Sequence, residues 1–209
     1  MDDLDKIYRE IPPDDIPWNI VEPPEMMVSL VRSGGISPCK AIDLGCGLGN
    51  YAIWMAEQGF EMTGIDISPT AVGMAERTTR EKGLDIEFLC ADLTKPFSHP
   101  EKFLFAYDWD VLHHILPEYR EQYAENISRL VKPGGKYLSV CFSVKDAFCG
   151  PGKYRTTPIG THLYFSSEEE IRELFGKYFR IIEVKTRLIP GKTGDHLCVV
   201  AWMQKDDRV

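Results

Sequence analysis

The sequence predicts a doubly wound α/β domain with a mostly parallel sheet. Short apolar runs alternate with longer amphipathic segments through the first two thirds of the chain. A glycine-rich turn directly follows the first apolar run, and two apolar runs close the chain without a helix between them. Such alternation is typical of parallel strands connected by helices on both faces of a sheet. The length of 209 residues fits a single domain, residues 1–209.

Seven short apolar segments are predicted to be strands. They cover residues 39–44, 60–65, 86–90, 103–107, 136–143, 180–186 and 196–204. Only residues 187–195 separate the last two, which is too short for a crossover helix. We therefore expect the sixth and seventh strands to be antiparallel neighbours, giving a seven-stranded sheet whose last strand is antiparallel.

Helices are predicted over residues 25–32, 50–58, 68–82, 117–131 and 167–175. Ser68 followed by Pro69 is a favourable helix start, because serine caps the helix and proline suits its first position. Ser167 and Glu170 have the spacing of a capping box. In 117–131 the apolar residues recur every three or four positions, as on one helix face.

Two segments lie outside this pattern. Residues 11–24 contain five prolines, so we expect an extended arm or a broken helix within an N-terminal arm, residues 1–35. Residues 144–165 are rich in glycine and proline and are expected to form an irregular insertion on the acceptor side. Trp18 in the arm is expected to cover apolar surface, as a lid or by simple packing on the sheet.

The glycine turn predicts a ligand site. Gly45, Gly47 and Gly49 let the backbone turn sharply from strand to helix and approach a ligand closely. Asp66 ends the next predicted strand, where an acid can accept hydrogen bonds from ribose hydroxyls. Asp92 follows the third strand and could accept from an adenine amino group. In doubly wound folds, ligands bind at this carboxyl edge of the sheet.

The spacing of the turn also indicates which ligand. Dinucleotide sites use G-x-G-x-x-G with a pyrophosphate at the helix N-terminus, whereas this turn is G-x-G-x-G. Asp43 directly precedes it, and a carboxylate there would repel a pyrophosphate but suit a cation. An NAD-dependent oxidoreductase is therefore disfavoured, and S-adenosylmethionine, which carries a sulfonium and an ammonium, is favoured.

Residues 43–49 resemble motif I of the class I S-adenosylmethionine-dependent methyltransferases. Asp66, the segment 91–93, the segment 110–115 and the turn 132–135 resemble later motifs of that family in the same order. The arm resembles that of the small-molecule thiopurine- and tellurite-resistance-type enzymes, in which it closes over the cofactor. The resemblance implies the class I fold, S-adenosylmethionine as cofactor and S-adenosylhomocysteine as product. The predicted cofactor-binding residues are Trp18, Asp43, Gly45, Cys46, Gly47, Gly49, Tyr51, Asp66, Ile67, Ala91, Asp92, Leu93 and Asp108.

His113 and His114 are the predicted catalytic residues. They follow the fourth strand, where the acceptor pocket of that family begins, and histidine is the usual base for an amine or hydroxyl acceptor. Packing of both rings in the core is the alternative. Methyl transfer is an in-line displacement, so the protein mainly has to hold the nucleophile in line with the leaving sulfur.

The composition narrows the function. The net charge of −8 disfavours nucleic acid as a partner, because such binding rests on neutralised phosphates. No signal peptide, membrane span or clustered metal ligands are expected, so we predict a cytoplasmic enzyme without a metal, a monomer or a homodimer, acting on a small molecule. A protein or RNA methyltransferase that needs a partner subunit, and a cofactor-binding module without catalysis, remain open. The identity of the acceptor is also open.

Overall fold

The computed structural model describes residues 4–206, which form a seven-stranded sheet with helices on both faces. The strands are β1 (Lys40–Leu44), β2 (Glu61–Asp66), β3 (Glu87–Cys90), β4 (Phe103–Trp109), β5 (Val131–Phe142), β6 (Tyr154–Thr156), β7 (His162–Tyr164), β8 (Arg180–Gly191) and β9 (Gly194–Gln204). The sheet has the order β3-β2-β1-β4-β5-β9-β8, and β6 with β7 forms a separate hairpin. Strand β9 is antiparallel to both of its neighbours, β5 and β8, and all the other neighbouring strands of the large sheet are parallel. The predicted fold class is confirmed.

The described helices are α1 (Leu4–Glu10), α2 (Glu25–Arg32), α3 (Asn50–Glu57), α4 (Pro69–Lys82), α5 (Pro117–Leu130) and α6 (Glu168–Phe175). Local signals set their ends as expected. The Ser68 hydroxyl accepts a hydrogen bond from the Ala71 N–H at 3.0 Å. Ser167 and Glu170 form both bonds of the capping box. No helix within residues 4–206 is long and apolar enough to cross a bilayer.

The structure differs from the sequence prediction at several places. The insertion 144–165 is not wholly irregular, because β6 and β7 pair within it as a hairpin. Helix α1 was not predicted, and it begins an arm whose first three residues lie outside the described range. Strand β5 begins at Val131 rather than at residue 136, because Val131 already pairs with Phe103 of β4, and Gly134 and Gly135 exchange backbone hydrogen bonds with Lys205 after β9. The predicted loop 187–195 is largely β-hairpin, since β8 and β9 stay paired as far as Gly191 and Gly194.

Both faces of the sheet are buried, as a parallel sheet requires. One apolar layer packs beneath α5 and α6 and contains Tyr123 and Phe175. The other packs beneath α2 and α3 and contains Met27 and Met55. These layers hold β1, β2 and β4 in register, so that their carboxyl ends meet at one edge.

Candidate active site

A cavity opens at the carboxyl ends of β1, β2 and β4, between the sheet and the N-terminal arm. Its empty space, including the part open to solvent, is about 1140 Å³, which suits a small-molecule ligand. All predicted cofactor-binding residues line it except Gly49 and Asp108, and of the predicted catalytic pair only His114 does. Most of the residues predicted from the sequence therefore lie at one surface. Their individual roles in cofactor binding or catalysis remain predictions.

The glycine turn forms the floor of the cavity and leaves no room for side chains. Gly45 has a φ of +76°, and a Cβ there would lie 2.4 Å from a methyl carbon of Val111. Gly47 has a φ of +53°, and a Cβ there would lie 2.9 Å from the Tyr8 hydroxyl. Both positions need glycine for conformation and for close approach, so the backbone itself faces the cavity.

Gly49 has a different task from the one predicted. A Cβ on Gly49 would lie 2.9 Å from the ring of Phe88 and 3.1 Å from Ala75. This glycine therefore allows the start of α3 to pack closely against α4 and β3, behind the cavity. It is the packing glycine of the turn rather than a lining residue.

Asp66 is held in place by the backbone. Its Oδ2 accepts a hydrogen bond from the Gly47 N–H, and its Oδ1 accepts one from the Ser68 N–H, both at 2.8 Å. Burial raises the pKa of Asp66, and these two donors oppose the rise because they favour the carboxylate. Each oxygen keeps acceptor capacity, so the group can bind further hydroxyls from the cavity.

Asp92 lies at the other end of the same wall. Burial tends to raise its pKa, but donors from Thr94 and Lys95 outweigh this, and the pKa lies below the usual value. The Thr94 N–H donates to Oδ1 at 2.9 Å, and the Lys95 ammonium lies 3.0 Å from Oδ2. Asp92 is therefore a fixed carboxylate at neutral pH.

Two further acids, Asp43 and Asp110, line the part of the cavity next to the glycine turn. Burial raises the pKa of Asp43 to about 8, and the charges of Asp66 and Asp108 add to the rise. Burial and the charge of Asp108 raise the pKa of Asp110 to about 7. A cationic ligand would lower both pKa values, since it favours the ionised forms.

Asp108 lies in the core rather than at the cavity, contrary to the prediction. It is fully buried and accepts hydrogen bonds from the hydroxyls of Tyr137 and Ser139 on β5. Successive residues of a strand point to opposite faces, so Asp108 turns away from the face of Tyr107 and Trp109. Asp110, which follows the strand with a φ of +63°, reaches the cavity instead.

His113 is also buried outside the cavity, so the packing alternative describes it. Its ring stacks on Phe142 with centroids 4.2 Å apart, and its Nδ1 accepts from the Phe142 N–H at 3.3 Å. Burial lowers its pKa well below the usual value, so it stays neutral.

Behind His113, Phe148 of the insertion 144–165 packs on Phe142 and His196. No residue of the insertion 144–165 lines the cavity.

Aromatic residues of the arm cover the mouth of the cavity. The Trp18 indole N–H donates to the Tyr8 hydroxyl at 2.9 Å, and the two rings meet edge to face. On its other side Trp18 meets His114, with ring centroids 5.4 Å apart. All three residues line the cavity, and Trp18 bridges the arm and the end of β4.

The arm is attached to the domain at three further points. Asp5 accepts hydrogen bonds from the Ser68 hydroxyl at 2.6 Å and from the Thr70 N–H at 3.0 Å, at the start of α4. Asn50 donates to the Asn19 side chain at 2.7 Å. The Lys192 ammonium, at the tip of the β8–β9 hairpin, donates to three arm carbonyls, those of Asp14, Ile16 and Asn19.

Sequence reasoning considered either Asp108 or Asp110 for the methyl-donor region, and the structure places Asp110 at the cavity. It missed the roles of Asn50, Lys192 and Asp5. These three form contacts between segments far apart in the chain, and no local pattern indicates such contacts.

The cavity fits S-adenosylmethionine. Asp43, Asp66, Asp92 and Asp110 line it, and no Lys or Arg among residues 4–206 does. The Oδ1 atom of Asp110 is buried, with no hydrogen-bond partner in the described part of the chain. Such an acidic surface suits a ligand with a sulfonium, an ammonium and ribose hydroxyls, and it would repel a pyrophosphate.

Comparison with known proteins supports this assignment. A family model for a methyltransferase domain matches residues 41–135. A 2-heptyl-1-hydroxyquinolin-4(1H)-one methyltransferase of Mycobacteroides abscessus is 29% identical over 88% of this chain and 78% of its own length. A probable thiol methyltransferase 2 of Arabidopsis thaliana is 29% identical over 65% of this chain, which spans only 60% of that relative.

A solved structure shares the whole fold. It comes from work on the conversion of a disulfide bond into a thioacetal group during echinomycin biosynthesis, and it superimposes with a TM-score of 0.82 at 24% identity. The match covers 99% of this chain and 92% of that one. The glycine turn and the acids at the strand ends line one cavity, and all of them lie within the matched residues 41–135. Residues 41–135 therefore match a methyltransferase domain, and the relatives and the cavity together support a class I S-adenosylmethionine-dependent methyltransferase with S-adenosylmethionine as its cofactor.

Proposed function

We propose that this protein methylates a small organic molecule within a site closed by its N-terminal arm, residues 1–35. The observation that carries the proposal is the position of Trp18, which lies over the cavity between Tyr8 and His114. A cavity with aromatic walls that the arm partly covers admits a small acceptor more readily than a folded protein or a nucleic acid duplex. Closure of the arm over bound ligands would also reduce the access of water to the reacting atoms.

When bound, S-adenosylmethionine supplies an activated methyl group. Asp66 is placed to accept hydrogen bonds from ribose hydroxyls, and Asp92 to accept from the adenine amino group. Asp43 is placed beside the glycine turn to attract the cationic part of the ligand. Ile67 and Leu93 offer apolar surface for the ring. These residues hold the methyl donor at a fixed position, which favours in-line attack.

The acceptor side is formed by Trp18, Asp110 and His114. His114 lies in a short 3-10 turn, Leu112–His114, directly after β4, and is the histidine of the pair that reaches the cavity. The insertion 144–165 supports this wall from behind, through Phe148 and Phe142. The relatives whose names mention a hydroxyquinolone and a thiol support an organic hydroxyl or thiol as the nucleophile.

We also propose that the enzyme works in the cytoplasm, as a monomer or a homodimer. All six cysteines are free, which suits a reducing compartment. S-adenosylmethionine is itself made in the cytoplasm. Size-exclusion chromatography with light scattering distinguishes the two oligomeric states.

The test is transfer of labelled methyl from S-adenosylmethionine to a divided panel. One half contains thiols, phenols, amines and chalcogen oxyanions together with the small-molecule fraction of a cell extract, and the other contains protein and RNA from that extract. Asp66→Ala is the control for cofactor-dependent labelling. Label in small molecules supports the proposal. Label only in macromolecules overturns it and points to a partner subunit, whereas cofactor binding without any label points to a binding module.

A further inference from the structure

Among the described residues, the ionisable side chains that line the cavity include carboxyl groups but no lysine or arginine, which restricts the acceptors that the cavity can bind. Four carboxyl groups line it, and none of the 24 lysines and arginines does, as far as the described residues extend. Two basic residues beside the lining are engaged elsewhere. Lys95 lies 3.0 Å from Asp92 outside the lining, and Arg187 pairs with Glu183 beyond the Tyr51–Trp109 ring pair. An anionic acceptor would find no cationic side chain in the described lining, only carboxyl groups beside the bound sulfonium, and like charges select against such a ligand.

Among the four acids, Asp110 is the one prepared for proton transfer. Asp66 and Asp92 are already held by backbone N–H donors. Asp110 has a buried Oδ1 atom with no hydrogen-bond donor in the described structure, although its own N–H is fixed to the Val140 carbonyl at 3.0 Å. A buried carboxylate oxygen without a donor is unfavourable unless a ligand supplies one.

The backbone at Asp110 supports this role. Its φ of +63° is uncommon for a residue other than glycine, although aspartate and asparagine tolerate it better than most. This conformation ends β4 and turns the side chain into the cavity beside Val111 and His114. Residues held in such conformations concentrate at functional sites, because surrounding structure must stabilise them.

We propose that the acceptor enters as an uncharged molecule bearing a hydroxyl, thiol or N–H group and gives its proton to the Asp110 carboxylate. The acceptor atom forms a bond to the methyl carbon, and the carbon–sulfur bond breaks with its electron pair left on sulfur. The proton that the acceptor loses ends on Asp110 and leaves to solvent when the products depart. This inference rests on the proposed small-molecule function and excludes chalcogen oxyanions as the natural acceptor.

Electrostatics around Asp110 agree with this step. Burial and the charge of Asp108 raise the pKa of Asp110 to about 7, close to the value that suits a general base at neutral pH. The titratable groups that interact with it are Asp108, Tyr51, Cys141 and Cys198, and Asp43 and His114 line the same cavity. Tyr51 stays neutral, because burial raises its pKa.

The first arm of the test uses the natural acceptor. Labelled products from the small-molecule fraction of an extract are passed over an anion exchanger at pH 8. The expected result is label in the unbound fraction, and the unmethylated acceptor identified from that product should also pass the exchanger unretained. An acceptor that is itself retained would overturn the inference. Label retained on the exchanger overturns the inference but leaves the proposed function intact. Absence of label from all small molecules overturns the proposed function, and this inference with it.

The second arm uses Asp110→Asn, which keeps the shape and tolerates the same φ. We expect the methyl-transfer rate to fall by about 10²- to 10⁴-fold and to lose its dependence on pH between about 6 and 8. Binding of S-adenosylhomocysteine, measured by calorimetry, should stay within about threefold of the unmodified protein. Glu173→Gln, on the exposed side of α6, removes a charge far from the cavity and is the matched control.

Two results of this arm would overturn the proton-transfer role. One is a rate of Asp110→Asn within about threefold of the unmodified enzyme, with the same pH profile. The other is loss of S-adenosylhomocysteine binding in proportion to the loss of rate, which would make Asp110 a cofactor-binding residue. His114→Asn is measured in parallel, and a pH dependence that disappears only in that variant assigns the proton to His114 instead.

Discussion

Replacement of Asp66 by alanine tests the centre of the cofactor site. In the structure this carboxylate accepts from the Gly47 and Ser68 N–H groups and faces the cavity with its remaining acceptor positions. Alanine removes any hydrogen bonds to ribose and also releases the glycine turn. A hydrogen bond to a charged group contributes about 1.5–3 kcal/mol, so cofactor affinity should fall by that amount, or roughly ten- to a hundredfold.

The same substitution also affects folding, and the two effects can be separated. Two buried N–H donors lose their partner, which should lower the free energy of unfolding by about 1–3 kcal/mol. We would measure S-adenosylmethionine and S-adenosylhomocysteine binding by calorimetry at 15 °C, and unfolding by urea titration followed by circular dichroism. Glu173→Gln should change neither quantity.

One outcome would refute this reasoning. If affinity for both ligands stays within twofold of the unmodified protein while the urea midpoint falls, Asp66 only stabilises the turn and does not bind the cofactor. A loss of affinity that is equal for the two ligands is expected, because ribose is common to both.

The remaining predictions concern pH, the arm and its tryptophan. Asp43, Asp108 and Asp110 bind protons more tightly in the folded than in the unfolded chain, so the free energy of unfolding should fall as pH rises from about 4 to 8. Urea titrations from pH 5 to 8 measure this slope, and Asp108→Asn should reduce it. Lys192→Met removes three bonds to arm carbonyls and should speed cofactor dissociation by about three- to tenfold in stopped-flow fluorescence, whereas an unchanged rate would show that the hairpin does not hold the arm. Trp18→Ala should lower kcat/KM at least about tenfold while the melting temperature falls by about 2–4 °C, and a large loss of melting temperature with matching loss of activity would indicate packing alone.

The parts of the molecule that follow local rules could be predicted from the sequence. The seven strands of the large sheet, the antiparallel last strand and the capped helices follow from apolar periodicity and from signals such as Ser68 before Pro69. The acids Asp43, Asp66 and Asp92 stand at strand ends, and parallel strands bring their carboxyl ends to one edge. Their position near one ligand could therefore be predicted without knowing which distant segments of the chain are in contact.

The choice between neighbouring residues at the end of β4 could not be predicted. Asp108 and Asp110 would share one face if the strand continued, but the positive φ at Asp110 ends the strand and separates them. His113 and His114 likewise point differently because a 3-10 turn follows, placing His113 on Phe142 and His114 in the cavity. Two local backbone conformations decide these two pairs, and no residue type in this segment prescribes either of them.

The sequence predicted an arm that covers the cofactor but not the contacts that hold it, and these contacts show why closure and cofactor binding should be coupled. Its contacts join Asp5 to α4, Asn19 to Asn50 and its backbone carbonyls to Lys192, so each depends on a surface formed only in the folded domain. Each of these hydrogen bonds contributes about 0.5–1.5 kcal/mol, so the closed arm is favoured yet can open without unfolding the sheet. Because Tyr8 lies against Gly47 and Trp18 against His114, opening exposes both the cofactor and the acceptor side at once. A ligand that binds only the closed form shifts the arm towards closure, by as much as its affinity for the closed form exceeds that for the open form. Opening of the arm is therefore a candidate for the step that controls product release.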